Sequence, residues 1–284
     1  MCESTGSGIE ACNLVFKIKP NYLKFKKDEI HQLADPFLLN FNGEIWMFFE
    51  EKKMGQKGYL KSICITDQKS VEGINLNLPH NIHLSYPYVF VENELLYMIP
   101  ETGENDEIAL FLCTEFPCNW KKEKIIMKGK YIDSSIHKEN GVFYLFTTEK
   151  FFNGKEYDYL LRLFYTNSLD EDFVEHPGSP IHKGRKFGRS GGPILVMGEH
   201  KFRFSQDCSE SYGRELIQFQ ITKLNIKEYN EVLISDNWIY KHYKHKYGGH
   251  HISSVLDDSN IRYVAVDFNL PQSYFQRFIN KFLF

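Results

Sequence analysis

Short runs of apolar residues, punctuated by glycine, asparagine, aspartate and proline, follow one another along most of the chain. Some runs are continuously apolar and others alternate apolar and polar positions, and they are rich in Phe, Tyr, Ile and Val. Apolar residues at helical spacing are scarce. Short runs of this kind are typical of β-strands, so the pattern predicts an all-β protein with many short strands.

The runs repeat with a period of about 50 residues. Each of the first four units contains a β-hairpin followed by two further strand-like runs. Asn42-Gly43 and Asn140-Gly141 lie between apolar runs, and this dipeptide is a strong hairpin signal because both turn residues need a positive φ. Four strands per unit and five units predict a five-bladed β-propeller.

The repeat also predicts the domain organisation. We expect a flexible N-terminus over residues 1–11 and one propeller domain over 12–284, with a short amphipathic helix at Tyr274–Phe284. The fifth unit is short of strands, and residues 12–20 are expected to complete it and close the ring. The blades are expected near residues 33–80, 83–130, 131–185, 187–235 and 247–270.

Polar residues recur where each hairpin opens. A two-residue turn fixes the strand register, so counting outward from the turns predicts which residues face each other. The expected pairs are Asp35 with Glu50, Tyr86 with Glu101, Asp133 with Thr148, Gly191 with Gln206, and His250 with Asp267. In a propeller these open ends gather on one face around the central axis, which predicts a polar site there.

Composition and charge narrow the class of partner. The 284 residues include 34 Lys and Arg against 37 Asp and Glu, a formal net charge of −3. A non-specific nucleic-acid binder is normally basic, so this weakly acidic chain is not expected to be one.

The chain shows no membrane or targeting signal. No apolar run approaches the roughly 20 residues of a membrane helix, and the N-terminus lacks a signal-peptide core. The six cysteines match neither a disulfide scaffold nor a zinc site. We expect a cytoplasmic protein with no membrane span and no nucleic-acid partner.

Ala34-Asp35-Pro36 at the start of one hairpin and Asp133 at the start of a later one resemble the five-bladed glycoside hydrolases of family 43 and its relatives. In those enzymes an aspartate of the first blade is the general base. An aspartate of the third blade tunes a pKa, and a glutamate near the fourth blade is the general acid. The resemblance implies that Asp35 is the base and Asp133 the modulator. The fourth-blade glutamate has no match, because the chain has Ser190-Gly191-Gly192-Pro193 there.

A closer resemblance covers roughly Ala34 to Glu231. The chain is similar to the hydrolase-like propeller domain at the N-terminus of glucosamine inositolphosphorylceramide transferases, which has bacterial relatives in surface-polysaccharide gene contexts. The motifs that carry it are His83-Leu84-Ser85-Tyr86-Pro87, Tyr97-Met98-Ile99-Pro100-Glu101, Phe116-Pro117 with Trp120, Glu175-His176-Pro177, and Arg203 through Gln206-Asp207-Cys208 to Tyr212-Gly213. The resemblance implies a sugar-handling site.

Glycoside chemistry needs two carboxyl groups on either side of the scissile bond, one of them with a raised pKa. The candidate catalytic residues are Asp35, Glu101 and Asp133. Glu101 is the preferred acid, because a facing Tyr86 ring would desolvate it; Glu50 and Asp207 are the other candidate acids. The candidate substrate-binding residues are Glu50, Tyr86, Arg189, Arg203, Gln206, Asp207, Tyr212, His250 and His251.

Several of these residues have alternative interpretations. Asp35 could simply cap a turn through its side chain. Arg189 and Arg203 could bind an anionic ligand or neutralise the acidic face. His250 and His251 could hold a metal with Asp267 or serve as hydrogen-bonded structural groups. No cofactor or metal ligand is assigned from the sequence, and a divalent cation on the propeller axis stays open.

Two hypotheses from different classes follow. The first is a carbohydrate-active enzyme that cleaves or transfers a glycosyl unit of a bacterial surface glycan or its precursor. The second is a catalytically silent carbohydrate-binding propeller that assists a partner transferase. The number of carboxyl groups favours the first, and the missing fourth-blade glutamate favours the second.

Overall fold

A computed structural model describes residues 30–53, 55–67, 72–79, 81–103, 105–244 and 247–269. The fold of these residues is an all-β propeller with one short helix. Each sheet draws its strands from one continuous stretch of chain, and neighbouring strands within a sheet run antiparallel.

Two four-stranded sheets form the first part of the chain. Sheet 1 consists of β1 (Ile30–Phe41), β2 (Glu44–Lys53), β3 (Tyr59–Cys64) and β4 (Glu72–Gly73). Sheet 2 consists of β5 (Leu84–Glu92), β6 (Leu95–Thr102), β7 (Glu107–Glu115) and β8 (Asn119–Lys128).

Three further sheets and the helix follow. Sheet 3 consists of β9 (Tyr131–Glu139), β10 (Val142–Phe152), β11 (Tyr157–Thr166), β12 (Val174–Glu175) and β13 (His182–Lys183). Sheet 4 consists of β14 (Leu195–Met197), β15 (His200–Asp207), β16 (Glu215–Leu224) and β17 (Tyr229–Ser235). After helix α1 (Trp238–Tyr243), sheet 5 consists of β18 (Ile252–Leu256) and β19 (Arg262–Val266).

Apolar clusters join neighbouring sheets into a ring. The largest packs residues of sheets 1, 2 and 3 together, and separate clusters join sheet 3 to sheet 4, sheet 4 to sheet 5, and sheet 5 back to sheet 1. Buried aromatic residues such as Phe48, Phe111 and Phe146 fill these interfaces. Burial of this apolar surface between the sheets is the main force that holds such a ring together.

The structure describes four complete blades and a two-stranded fifth sheet. The five-bladed prediction therefore stands only in part, since the expected closing strand at 12–20 lies outside the described residues. The flexible terminus at 1–11 and the helix at Tyr274–Phe284 also lie outside them. Within the part of the chain that the structure covers, no helix is long and apolar enough to span a membrane.

Helix α1 was not expected from the sequence. Its first residues, Trp238 and Ile239, are buried between sheets 4 and 5. The Glu215 carboxylate accepts hydrogen bonds from the amides of Ile239, at 2.5 Å, and Tyr240, at 3.1 Å. Asn237 precedes the helix, but its side chain makes no capping hydrogen bond. A residue distant in sequence therefore provides the acceptors that the first turn needs.

The strand register differs from the predicted one by a residue at the open ends. Ala34 pairs with Glu50, Ser85 with Glu101, and Ile132 with Thr148. In each of these three hairpins the pairing shifts just beyond this point, because the first strand contains an extra residue. An insertion of this kind is a β-bulge. The predicted facing pairs of Asp35, Tyr86 and Asp133 are therefore wrong by one position.

Candidate functional site

Three equivalent residues of sheets 1, 2 and 3 begin these bulges. Asp35, Tyr86 and Asp133 have φ angles of 52°, 49° and 52°. This left-handed conformation is unfavourable for a residue with a side chain, above all for a bulky one such as tyrosine. All three side chains are buried. Because local backbone strain is characteristic of functional sites, the repeated conformation marks these three positions as a candidate site.

Asp35 connects sheets 1, 2 and 5. Its Oδ2 accepts a hydrogen bond from the Tyr86 amide at 3.2 Å, and its own amide donates to Asp267 Oδ2 at 3.3 Å. His250 lies between the two carboxylates, with Nε2 3.3 Å from Asp35 Oδ1 and Nδ1 3.0 Å from Asp267 Oδ2. Asp267 Oδ1 also accepts the amides of His250 and His251. Asp35 is thus held in place from both neighbouring sheets.

The charges of Asp35, His250 and Asp267 stabilise one another's ionised forms. Burial by itself would raise the pKa of both carboxyls, but His250 outweighs it, so the pKa of Asp35 is lowered and that of Asp267 falls to about 2. Burial would lower the pKa of His250, but the two carboxylates hold it well above its usual value. The arrangement is an imidazolium between two ionised aspartates. Asp35 is consequently a carboxylate at neutral pH.

The same three side chains are the one group of described residues that could hold a metal ion. One atom each from Asp35, His250 and Asp267 lies within 4.8 Å of the others. A metal bound by His250 needs a deprotonated ring nitrogen. Both ring nitrogens already face carboxylate oxygens, and this geometry equally suits an imidazolium. That imidazolium lies close to both aspartates and stabilises their ionised forms.

Asp133 is held by residues of the fourth sheet and of the segment that leads into it. Arg189 Nε donates to Asp133 Oδ2 at 2.6 Å, and Gln206 Nε2 lies 3.4 Å from the same oxygen. Gln206 Nε2 also donates to the Ser190 carbonyl at 2.6 Å. Burial raises the pKa of Asp133, and the Arg189 charge opposes this. Arg189 thus serves as the counter-ion of the Asp133 carboxylate.

Glu50 and Glu101 lie near the ends of β2 and β6 at the same face, and both carry raised pKa values. Burial, followed by the nearby Asp35 charge, raises the pKa of Glu50 to about 8. Burial and the nearby Asp133 charge raise the pKa of Glu101 to about 8. Both carboxyls hold their protons at neutral pH. Since a general acid needs a pKa near or above the working pH, both can donate a proton.

Aromatic side chains border the cluster of carboxyl groups. The Tyr212 ring lies 4.9 Å from both the Arg189 guanidinium and the His250 ring, and the residue as a whole is 48% exposed. His251 is fully buried against Phe37 and Tyr86, with ring centroids 4.4 and 5.3 Å away. Burial lowers the pKa of His251 to about 4, so its ring is neutral. Tyr212 therefore borders the charged groups from a half-exposed position. We call the residues Asp35, Glu50, Tyr86, Glu101, Asp133, Arg189, Gln206, Tyr212, His250, His251 and Asp267 the axial cluster.

Comparison with protein families decides the affiliation of the chain. The family described as glucosamine inositolphosphorylceramide transferase 1, N-terminal, matches residues 25–265. The chain belongs to this family. A transferase of this name from Oryza sativa subsp. japonica is 34% identical over 210 residues, which is 72% of this chain and 28% of the relative. One from Arabidopsis thaliana is 33% identical over 207 residues, 70% of this chain and 27% of the relative. The chain thus spans less than a third of the curated relatives it matches.

Solved structures support the propeller fold of this family member. The catalytic domain of a glycoside hydrolase family 62 α-L-arabinofuranosidase from Coprinopsis cinerea has a TM-score of 0.60 at 14% identity, covering 88% of this chain and 89% of that one. The RS223 β-xylosidase has a TM-score of 0.55 at 13% identity, covering 88% and 94%. A Cellvibrio cellulosa α-L-arabinanase has a TM-score of 0.53 at 11% identity, covering 70% and 77%. At such identities the likeness concerns the fold alone.

The segment over residues 190–193 leads into the fourth sheet. Its two glycines, Gly191 and Gly192, pack by their backbone against neighbouring residues and offer no carboxyl group. A Cβ atom on Gly192 would lie 2.1 Å from the Ile252 carbonyl oxygen, and one on Gly191 would lie 2.7 Å from Leu216. Gly192 also has a φ of 134°, which only glycine adopts readily. The close packing leaves no space here for the glutamate that the family 43 hydrolases have.

Arg203 lies away from the axial cluster. Its guanidinium forms a two-pronged ion pair with Glu231, with Nε 2.7 Å from Oε2. His182 Nε2 lies 2.6 Å from Glu231 Oε1, and the Tyr229 hydroxyl bonds to Oε2. Arg203 outweighs the effect of burial, and the pKa of Glu231 falls to about 2. Both Glu231 oxygens are thus satisfied, and the structure gives Arg203 a buried structural partner in place of a ligand. We call Arg203, Glu231, His182 and Tyr229 the interface group, because they join strands of sheets 3 and 4.

Asp207 also serves its own loop. Its Oδ1 accepts the Ser209 amide and hydroxyl at 2.9 and 2.5 Å, and its Oδ2 lies 2.9 Å from Arg214 Nη1. These bonds fix the turn between β15 and β16, which carries Tyr212. We therefore regard Asp207 as a support for the loop and not as a candidate acid.

Sequence reasoning did not find every contributor to the site. Asp267 was expected as a facing partner of His250 or as a metal ligand beside it, yet it receives three backbone amides and an imidazolium. His83 and Gly58 contact Glu50 from the segments before β5 and β3. His83 begins the motif His83-Leu84-Ser85-Tyr86-Pro87, which was the one available signal. Gly58 carried none, because its role depends on the packing around it.

Proposed function

We propose that the axial cluster is the active site of a carbohydrate-active enzyme that cleaves or transfers a glycosyl unit. One feature carries the proposal: Glu101, whose pKa is raised to about 8, and Asp35, whose pKa is lowered, belong to the same buried cluster. Carboxyl groups whose environments push their pKa values apart are the usual basis of an acid–base pair. The names of the curated relatives, which are glucosamine inositolphosphorylceramide transferases, favour a sugar-containing ligand.

In the proposed reaction Glu101 gives its proton to the leaving oxygen of the glycosidic bond. Asp35 accepts a proton from the incoming water or sugar hydroxyl, which makes that oxygen the nucleophile. Burial and the nearby Asp133 charge keep the proton on Glu101, and Arg189 fixes Asp133 in place. The half-exposed Tyr212 is a suitable platform for a sugar ring.

The biological setting is also part of the proposal. We propose a bacterial surface glycan or its precursor as the ligand and a cytoplasmic location. A partner transferase is also proposed, because the curated relatives are themselves named as transferases. We further propose that the propeller has five blades and that sheet 5 belongs to the fifth.

The test compares Glu101→Gln with wild type on a panel of glycosides, with Glu123→Gln as a matched exposed control. Loss of a general acid should lower kcat about 100-fold or more on substrates with poor leaving groups. The loss should be much smaller on activated aryl glycosides, whose leaving groups need no proton. Binding of the glycan should persist. Unchanged turnover by Glu101→Gln would remove Glu101 from the reaction.

A binding function without turnover is the second candidate, and one observation favours it. Asp35 already holds partners on both oxygens, His250 on Oδ1 and the Tyr86 amide on Oδ2. These contacts stabilise the ionised form and lower the pKa of Asp35, which makes it a weaker base. If the protein binds glycans and turns over neither activated glycosides nor nucleotide-sugar donors, the binding function replaces the enzymatic one.

A further inference from the structure

A second histidine contacts the axial cluster from outside, at the junction of sheets 1 and 2. His83 precedes β5, and its Nε2 lies 3.6 Å from Glu50 Oε1. The Glu50 side chain is only 6% exposed, whereas that of His83 is 30% exposed. His83 therefore lies between a buried carboxyl group and solvent, and nothing in the proposed reaction uses it.

Gly58 fixes the orientation of this histidine through two hydrogen bonds. The Gly58 amide donates to His83 Nδ1 at 2.8 Å, and the Gly58 carbonyl accepts the Leu84 amide at 2.9 Å. Because a backbone amide can only donate, Nδ1 is the acceptor and carries no proton. The remaining proton of the neutral ring is then on Nε2, the nitrogen that faces Glu50.

The contact also explains why residue 58 is a glycine. A Cβ atom at this position would lie 2.1 Å from Glu50 Oε1 and 2.7 Å from His83 Cε1. Its backbone φ lies outside the left-handed region, so the requirement is for space and not for an unusual conformation. The glycine thus lets Glu50 and His83 approach the same point.

Glu50 faces several other charged groups of the cluster. Asp35 and Glu101 disfavour its ionised form, while Lys52 and His250 favour it. An N–H donor at a carboxylate oxygen also favours ionisation. Hydrogen bonds of this kind are often long before a ligand binds and shorten afterwards.

We propose that His83 is a positioning residue for Glu50: its Nε2–H group donates to the ionised carboxylate and sets the pH at which this second acid of the axial cluster releases its proton. Gly58 keeps the donor on the correct nitrogen. This inference rests on the proposed function only where Glu50 is said to deliver its proton in a reaction. The contact between His83 and Glu50 can be tested in the protein without a ligand.

The first measurement is the tautomer of His83, from ¹⁵N NMR of the histidine side chains with assignment by substitution at position 83. We expect the neutral ring to carry its proton on Nε2. A proton on Nδ1 would overturn the proposal, whatever substrate the protein has.

The second measurement is the ionisation of Glu50, from ¹³C NMR of the side-chain carboxyls with assignment by Glu50→Gln. Asn and Gln at position 83 form a matched pair. His83→Asn retains an acceptor near the Nδ1 position and loses the Nε2 donor, whereas His83→Gln retains a donor near Nε2. Loss of the donor should move the Glu50 titration midpoint upward by about one pH unit in His83→Asn. His83→Gln should restore most of that shift.

Equal midpoints in wild type, His83→Asn and His83→Gln would overturn the positioning role. A shift common to both variants would do the same, because it would reflect a general packing change and not the donor. Either result would leave the Glu101→Gln turnover test untouched. The failure of this inference is therefore distinguishable from failure of the proposed function.

Discussion

The axial cluster and the interface group are both buried groups of charged residues, and they are organised in opposite ways. In the interface group, Arg203 and Glu231 neutralise each other and the pKa of Glu231 falls to about 2. In the axial cluster, carboxyl groups outnumber the cations, and the pKa values of Glu50 and Glu101 rise to about 8. Balanced buried charges hold sheets together. Unbalanced ones keep protons available, and this is why we look for function at the axis.

The largest expected effect is on the interface group. Arg203→Leu leaves Glu231 buried without its counter-ion, which should cost about 3–5 kcal/mol of unfolding free energy. Urea denaturation measures this directly. The double variant Arg203→Leu with Glu231→Leu should recover most of the loss, because no unpaired charge remains. A cost below about 1 kcal/mol for the single variant would contradict a structural role for the pair.

Gly58→Ala should have the next largest effect on stability. It tests the packing between Glu50 of the axial cluster and the neighbouring His83. The added methyl group meets Glu50 and His83, and such overpacking costs about 1–3 kcal/mol. Gly73→Ala is the matched control, since no atom lies within 4 Å of the position that its Cβ would take and its φ is ordinary. Equal stabilities of the two variants in thermal unfolding would show that the space around Gly58 is not restricted.

The pH dependence of stability should separate the two groups. Glu50 has a pKa of about 8 in the folded state, against an ordinary 4.5. Between pH 4.5 and pH 8 the folded state therefore binds more protons than the unfolded state, so the unfolding free energy falls as the pH rises. Glu50→Gln should therefore gain stability relative to wild type as the pH rises from about 4 to about 7.5, because glutamine does not titrate. Denaturation at both pH values measures the difference, and an equal effect at both would contradict the raised pKa.

Glu231 should show the opposite trend. Its folded pKa is lowered to about 2, so its contribution is complete above pH 4.5 and is lost as pH falls toward 2. Acid denaturation of wild type and of the Arg203→Leu, Glu231→Leu double variant measures this contribution. If the double variant loses as much stability as wild type over the same pH range, Glu231 is not the group responsible.

The smallest expected effect on stability concerns Tyr212. Its ring contacts Arg189 and His250 from an exposed position, and such a contact contributes about 0.5–1 kcal/mol. Tyr212→Ala should change the unfolding free energy by no more than this, yet weaken glycan binding about tenfold through the lost platform. Tyr212→Phe should retain binding in a calorimetric titration. Equal binding by wild type and Tyr212→Ala would exclude the platform.

The hairpins and most axial residues could be predicted from the sequence because tight turns and apolar runs are local signals. Asp35, Glu101 and Asp133 all belong to the buried cluster, as expected. The register near the open ends could not be predicted, because the left-handed φ of Asp35, Tyr86 and Asp133 adds a residue that no Asn-Gly turn reveals. A bulge of this kind depends on packing at the centre of the ring.

Long-range pairing was the second limit. Arg203 is a strand residue like its axial neighbours in sequence, and only the fold brings Glu231 to it from β17. Gly58 and His83 precede strands of different sheets and meet through a hydrogen bond that no local pattern encodes. Charge partners that are distant in sequence therefore decide which polar residues are structural and which are functional.

The central claim is that the axial cluster holds protons that the interface group does not. The most direct test is a ¹³C NMR titration of the glutamate side-chain carboxyls in the intact protein, with Glu50, Glu101 and Glu231 assigned by substitution with glutamine. We expect midpoints of about 8 for Glu50 and Glu101 and about 2 for Glu231. Midpoints near 4.5 for Glu50 and Glu101 would contradict the claim, because neither glutamate would then hold a proton at neutral pH.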